Sequence, residues 1–353
     1  MPKFALKFKN MKRKGILYLL LLFVFIVIIC VVLFLRAIYG SNIKTGSSNL
    51  SIFIPSGSTF EQVFDSINSK VSIENPGLFK WIAKKKKYPS DIKPGRYVIK
   101  WNMSYLKLIN MLRSGNQTPV KVTFNNIRTL NELAGKIGNQ IEADSAHIIA
   151  FLNNSDNYKA DSFTSQTIIS VFIPNTYELY WNTSAEGFYV RMLKEYRKFW
   201  NEERIAIARE KNLTPTEVAI LASIIDDEVA KADEKPRIAG VYLNRLKKGI
   251  PLQACPTIKF ALNDFTITRI LNKHLLVDSP YNTYTHNGFP PGPIGLPSIE
   301  GLDAVLNSEK HDYLFFVAKA DFSGYHNFSK TLAEHNKFAA LYQKELDKRK
   351  IFK

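Results

Sequence analysis

The stretch TPTEVAILASIIDDE at residues 214–228 decides how the C-terminal half of the chain folds. Thr214 suits the N-cap of a helix, Pro215 suits the first helical position, and Glu217 completes a capping box. A helix is therefore predicted to begin at about residue 214. Apolar residues follow at spacings of three and four, which predicts that one face of this helix is buried.

Glu228 lies on the apolar side of this predicted helix. With Leu221 at zero and about 100° per residue, Glu228 falls at about −20°. Asp226 falls at about +140° and Asp227 at about −120°, toward the polar side. Burial raises the pKa of a carboxyl group, as a general acid near neutral pH requires. We therefore predict that Glu228 is a catalytic acid and that Asp226 tolerates replacement by Asn. A glutamate held by a buried hydrogen bond, or at a seam between helices, is the commoner alternative.

The N-terminus predicts a membrane anchor. Residues 15–35 are 21 uncharged and almost wholly apolar positions, which is enough to span a bilayer. No small-residue cleavage motif follows, so the anchor is expected to be retained. Residues 1–14 form a basic tail without acids, which predicts a cytoplasmic N-terminus and an extracytoplasmic segment 37–353. The span and the tail together predict a single pass through the cytoplasmic membrane.

Charge and composition narrow the partners. Residues 1–50 carry eight Lys or Arg and no acid, so nine of the 17 net positive charges lie beyond residue 50. A basic extracytoplasmic segment suits an anionic partner such as a membrane surface or a cell-wall polymer, and not nucleic acid. The run Lys84–Lys87 is expected to be a solvated face.

Several kinds of site have no sequence support. Cys30 lies inside the apolar span and Cys255 far beyond it, so no disulfide within the chain is expected. The six histidines do not have the spacing of metal ligands, and no nucleotide-binding glycine motif occurs. No cofactor or metal is predicted.

The rest of the chain predicts an α+β fold with two folded regions. Residues 36–50 form a Ser/Asn/Gly-rich stem, 51–145 a small module, and 160–347 a larger domain. The segments 51–67 and 121–137 align without gaps, and each predicts a strand followed by a helix with a capping box. Further elements are expected as follows: a helix from Thr183 to about Lys211, a helix from about Pro236 to Lys248, a buried strand at 313–318, a strand holding His326 and Phe328, and a helix from about Leu332. Seven of the 16 prolines fall in 251–297, which predicts an ordered loop there.

The order of these parts resembles the endolytic murein transglycosylase family, also called YceG-like. The resemblance covers roughly residues 50–345. It includes a LysM-like module with the segments IPSGST and PGRYVI, and it is carried further by FIPNTYE, ASIIDDE, VYLNRLKKGIPLQACPT, SPYNTY, GFPPGPI, YLFFVA and HNFSKTLAEHN.

The resemblance implies an enzyme that cleaves the MurNAc–GlcNAc bond of nascent peptidoglycan strands. It leaves a 1,6-anhydroMurNAc end and thereby terminates strand elongation, and peptidoglycan synthases are implied partners. The family's catalytic acid, the second acid of A-S-I-I-E-x-E, falls on Glu228. Asp226 replaces the first acid, Cys255 stands where the family usually has Asp, and Asn175 where it often has Asp.

The substrate contacts expected from matching segments are Gln253, Thr257, Asn282, Thr283 and Tyr284. A lytic reaction needs one acid, whereas a hydrolytic glycosidase normally needs two carboxylates. Two alternatives stay open at this point. One is a peptidoglycan-binding or synthase scaffold with a structural Glu228. The other is a muramidase whose second carboxylate comes from Asp264 or Asp278.

Overall fold

The chain folds into two compact units of helices and short strands. The computed structural model describes residues 2–45 and 48–349, with side chains from Gly15 onward apart from that of Lys44. The first unit comprises residues up to Val120 with Leu179–Asn182, and the second comprises Lys121–Glu178 with the residues from Thr183 onward. This mixture of helices and strands, with one N-terminal apolar helix, confirms the predicted α+β class.

The described residues form helices and paired strands in the following order. The helices are α1 (Pro2–Tyr39), α2 (Phe60–Asn68), α3 (Pro76–Lys85), α4 (Tyr105–Ser114), α5 (Leu130–Gly138), α6 (Ser145–Asn153), α7 (Ala185–Phe199), α8 (Glu202–Glu210), α9 (Pro215–Glu228), α10 (Lys235–Lys247), α11 (Cys255–Ala261), α12 (Ile299–Leu306) and α13 (Leu332–Lys348). The strands are β1 (Ile43–Lys44), β2 (Leu50–Ile54), β3 (Ser72–Ile73), β4 (Gly95–Ile99), β5 (Val120–Phe124), β6 (Asn175–Leu179), β7 (Phe315–Ala318) and β8 (His326–Ser329).

The first unit is built on an antiparallel pair of strands covered by helices. Strand β2 pairs with β4, with Ile52 opposite Tyr97, and both side chains are fully buried. The predicted capping box opens α2, since Thr59 accepts from the Gln62 N–H and the Gln62 side chain accepts from the Thr59 N–H. The apolar faces of α2, α3 and α4 complete the core of this unit.

The apolar helix runs directly into this core. Gly15–Tyr39 contains an 18-residue window with a mean hydropathy of 3.6 and is long enough to cross a membrane, which is compatible with a single-pass anchor. The predicted flexible stem at 36–50 is wrong for residues 36–45. Helix α1 continues to Tyr39, and Ile43 is buried, pairs with Ile73 and donates its N–H to the Met103 carbonyl at 3.1 Å. Residues 46 and 47, and the basic side chains of the tail 1–14, lie outside the described part of the chain.

The second unit begins earlier than the predicted division between 145 and 160. Strand β5 pairs with β6, so the second copy of the repeat joins the unit that holds Glu228. Thr129 caps α5 as predicted, but the Glu132 carboxylate accepts from the Arg128 N–H instead of closing the box on Thr129. The two copies are therefore alike in sequence but belong to different units.

Helix α9 is the centre of the second unit. Its residues Val218–Ile225 are all buried, and it packs against α8, α10, α11 and α12. The capping box of Thr214 and Glu217 is formed as predicted. The predicted helix from Thr183 is instead two helices, α7 and α8, because Trp200 leaves the helical conformation and Asn201 caps α8.

The second unit ends with a pair of strands and a helix. Strand β7 pairs antiparallel with β8, as the pattern around His326 predicts, but β7 is half-buried and not fully buried. Helix α13 begins at Leu332 with Thr331 as its N-cap. Residues 279–297 contain neither helix nor strand, in agreement with the prediction from their prolines.

Candidate active site

Glu228 is the last residue of α9. The next residue, Val229, has an extended backbone and is buried, so the chain turns away from the helix axis directly after the carboxylate. The Glu228 side chain is half-buried. The Glu228 side chain therefore reaches the surface of the unit at the end of the buried helix, and most of its surroundings are protein.

The surroundings of Glu228 raise its pKa to about 7 from an ordinary value of 4.5. The largest cause is burial, which disfavours the charged carboxylate. The Tyr242 hydroxyl, which donates to Glu228 Oε1 at 3.4 Å, and the positive charge of Lys259 act in the opposite direction. The negative charge of Asp227 raises the pKa slightly. Near neutral pH this carboxyl can therefore both give and take a proton.

Tyr242 comes from α10 and is held rigidly. Its ring is buried and packs edge-to-face on Phe316 of β7, with ring centroids 5.8 Å apart. Burial and the neighbouring Glu228 raise the pKa of Tyr242 well above its usual range, so its hydroxyl stays protonated and acts as a donor.

A second polar pair lies near Glu228. The Cys255 Sγ and the Tyr284 hydroxyl are 3.1 Å apart. Burial, and then the nearby Glu228 carboxylate, raise the pKa of the Cys255 thiol. Cys255 is therefore a neutral group, where the resembling family usually carries a carboxylate. The described residues contain no group of three or more His, Cys, Asp or Glu that could hold a metal ion.

Three of the five predicted substrate contacts are fully or almost fully buried. Thr257 donates to the Ala254 carbonyl and shares a hydrogen bond with Thr283, each at 2.8 Å. Asn282 donates to the Leu275 and Val277 carbonyls, each at 2.9 Å. The bond between Thr257 and Thr283 fastens the loop 279–297 to the start of α11, and the Asn282 bonds fasten it to the segment 275–277. The placement fits bracing of the site and leaves Thr257, Asn282 and Thr283 little surface for a glycan.

Gln253 and Tyr284 are the predicted contacts that remain accessible. Gln253 is exposed, its backbone is in the left-handed region at φ 53°, and its N–H donates to the Thr283 carbonyl at 2.9 Å. Its amide oxygen accepts a hydrogen bond from Arg245. Tyr284 is half-buried beside Cys255. Gln253 lies between α10, which carries Tyr242, and α11, which begins with Cys255, and Tyr284 lies in the loop 279–297.

Asp226 does not face solvent, which corrects the prediction from the helical wheel. Its carboxylate accepts from the Ser298 N–H at 2.7 Å, from the Ser298 hydroxyl at 2.9 Å and from Lys235 Nζ at 2.9 Å. The reason is that α10 and α12 cover the side of α9 that the wheel assigns to solvent. Gly301 makes the approach possible, because a Cβ there would lie 2.6 Å from the Asp226 oxygens.

Asp227 is also paired. Its carboxylate accepts from Arg128 Nη1 at 2.6 Å, and the guanidinium lies over the Phe265 ring at 4.5 Å. Arg128 therefore links the loop before α5 to the last turn of α9.

Comparison with known proteins identifies the family of this chain. The chain matches the YceG-like family over residues 52–340. This protein belongs to the YceG-like family. It is 28% identical over 326 residues to a Bacillus subtilis protein named endolytic murein transglycosylase, with 86% of this chain and 89% of the relative covered.

Further relatives differ in length. A Streptococcus pneumoniae protein of the same name is 27% identical over 300 residues, with 76% of this chain covered, and the aligned part is 54% of that relative's length. The chain thus spans about half the length of this streptococcal relative. The crystal structure of a putative YceG-like protein from Listeria monocytogenes superposes with a TM-score of 0.53 at 28% identity, covering 83% of this chain and 99% of that one.

Sequence reasoning misses three side chains of this YceG-like protein near the site. Tyr242 and Lys259 act on Glu228, and Arg245 acts on Tyr242. Tyr242 and Arg245 are three apart on the buried face of α10, and polar tips on an apolar helix face are the signal that could have found them. Arg245 donates to the Pro251 and Leu314 carbonyls, each at 2.8 Å, and so ties α10 to the segments that flank the site. Lys259 carries no such signal.

Proposed function

We propose that this protein is a membrane-anchored lytic transglycosylase that cleaves peptidoglycan glycan strands with Glu228 as its single acid and base. The observation that carries the proposal is one carboxyl group at the end of a buried helix, with its pKa raised to about 7. The names of the Bacillus and Streptococcus relatives support the same reaction class.

The reaction proceeds in two steps at the bond between MurNAc and GlcNAc. Protonated Glu228 first gives its proton to the glycosidic oxygen while the bond from that oxygen to C1 of MurNAc breaks. The Glu228 carboxylate then takes the proton of the MurNAc 6-hydroxyl while that oxygen bonds to C1. The attacking hydroxyl belongs to the same sugar, so the entropic advantage of an intramolecular attack replaces an activated water.

The state of the neighbouring acids favours this route over hydrolysis. A hydrolytic glycosidase needs a second carboxylate near the scissile bond. Asp227 is paired with Arg128, and Asp226 with Ser298 and Lys235. In the remaining candidate loop, the carboxylate of Asp264 accepts from both the N–H and the hydroxyl of Thr266.

The products distinguish the three candidate functions. Purified, uncrosslinked glycan strands treated with the full-length protein should yield fragments that end in 1,6-anhydroMurNAc, identified by their mass. Fragments with a free reducing MurNAc end would mean that water attacks, and the muramidase would replace the transglycosylase. Intact strands would favour a scaffold that binds peptidoglycan.

Replacing Tyr242 by Phe should move the pH profile of cleavage upward. The change removes the hydroxyl that stabilises the charged form of Glu228, so the pKa of Glu228 rises further above 7. The acid works in its protonated form, and the alkaline limb of the profile should therefore shift to higher pH. Phe keeps the packing on Phe316. Rates measured across pH on the same glycan strands would contradict this assignment if the limb stays fixed or moves down.

Several further roles belong to this proposal. Gln253 and Tyr284 contact the glycan, while Thr257, Asn282 and Thr283 hold their loop.

The apolar part of α1 anchors the protein in the bacterial cytoplasmic membrane, with residues 37–353 outside, as the basic tail favours. The first unit, with its LysM-like segments, engages long glycan strands. Cleavage terminates strands made by peptidoglycan synthases.

A further inference from the structure

The end of the apolar helix is fixed to the first unit, not linked by a loose stem. The Phe34 ring, inside the apolar span, packs edge-to-face on Trp81 of α3, with centroids 6.0 Å apart. Ile38 packs against the core of the unit, and α4 lies against α1. Helix α3 is therefore beside the last turns of the segment proposed to cross the membrane.

One face of α3 carries the side chains that favour a membrane surface. Trp81, Lys84 and Lys85 are three or four residues apart, so they share this face, and all three are exposed. Lys85 Nζ lies 5.8 Å from the centre of the Trp81 ring. Among the described residues, neither Lys84 nor Lys85 forms an ion pair with a carboxylate, whereas Lys80, one residue before Trp81, is paired with Glu61. The buried residues Phe79, Ile82 and Ala83 hold the opposite face in the core.

This combination has a physical preference for the lipid headgroup region. Tryptophan is enriched at membrane interfaces, where its ring contacts the acyl boundary and its N–H faces water. Lysines near the surface are attracted to anionic headgroups. At about 1.5 Å of rise per residue, Phe34 lies about 7.5 Å before the end of α1 at Tyr39. Its contact therefore holds Trp81 near the depth of the acyl boundary.

We propose that the α3 face formed by Trp81, Lys84 and Lys85 lies on the outer surface of the membrane and binds anionic phospholipid headgroups. This inference rests on the anchor proposed above, and it replaces the expectation that the run Lys84–Lys87 is only a solvated face. Its consequence is that α1 and α3 together fix the orientation of the first unit against the bilayer.

Tryptophan fluorescence of the full-length protein in vesicles tests the position of Trp81. Vesicles of phosphatidylcholine and phosphatidylglycerol in equal amounts are prepared with bromine on acyl carbons near the headgroup, which quenches only nearby indoles. Trp81→Phe should remove most of the bromine-dependent quenching. Trp200→Phe is the control, because Trp200 is buried in the core of the second unit and should contribute none.

The lipid preference is tested by moving the bromine. The unmutated protein should be quenched more by brominated phosphatidylglycerol than by brominated phosphatidylcholine at the same molar fraction. The double variant Lys84→Gln, Lys85→Gln should lose this difference. Equal quenching by the two lipids in the unmutated protein would overturn the headgroup assignment.

Flotation of the same samples separates this inference from the anchor. A protein that fails to float with the vesicles would overturn the anchor and, with it, this surface. A protein that floats but is quenched equally with and without Trp81 would overturn the surface alone and leave the anchor standing.

Discussion

Replacement of Glu228 by Gln should lower glycan cleavage by about two to four orders of magnitude, the usual worth of general acid–base catalysis. Gln keeps the shape of the side chain and an oxygen for the Tyr242 hydroxyl, but it has no proton to transfer. The loss should appear in kcat more than in KM, because the proton is transferred only in the transition state. Initial rates on purified glycan strands measure it.

Thermal unfolding supplies the control for this variant. The pKa of Glu228 is about 7 in the folded protein and near 4.5 when exposed, so between these values the folded state binds more protons than the unfolded state. Stability of the unmutated protein should therefore fall, relative to Glu228→Gln, as the pH rises from about 4.5 to 7. The role of Glu228 would be contradicted, and the scaffold favoured, if Glu228→Gln is folded, differs in stability from the unmutated protein in this way and still cleaves at the normal rate.

Local signals in the sequence are sufficient for α9 and its last residue. Thr214 and Glu217 accept from each other's N–H groups at the start of the helix, and Pro215 has no N–H, so the start needs no information from elsewhere in the chain. The apolar spacing then fixes which side of the helix is buried. The position of Glu228 on the buried side of the helix follows from these two facts, whereas its hydrogen-bond partners do not.

Contacts between distant segments could not be predicted. Tyr242 lies 14 residues from Glu228 and Ser298 lies 72 residues from Asp226, and neither pairing leaves a periodic pattern. A helical wheel has one buried side, whereas α9 is covered from several directions, so its polar side is also occupied. The prediction of a flexible stem fails for a similar reason, since Ile43 is buried and pairs with Ile73, which is distant in the sequence.

Asp226→Asn tests the contact that the wheel misses, and it should destabilise the second unit by about 3 kcal/mol, the cost of breaking a largely buried ion pair. Lys235 would keep only the more distant carboxylate of Glu300, at 3.7 Å, and the start of α12 would lose a charged acceptor. Cleavage should fall as well, because Asp226 fixes the last turn of α9, two residues from Glu228. Chemical denaturation measures the first effect, and rates measured well below the melting temperature measure the second.

The matched control is Asp303→Asn in α12. Asp303 pairs with Arg204 at 3.2 Å, but both side chains are about a third exposed, so this change should cost no more than about 1 kcal/mol. Adding Lys235→Gln to Asp226→Asn should recover part of the lost stability, since the two charges are coupled only if the ion pair exists. Equal losses for Asp226→Asn and Asp303→Asn, or additive losses in the double variant, would restore Asp226 to the solvated role that the wheel predicts.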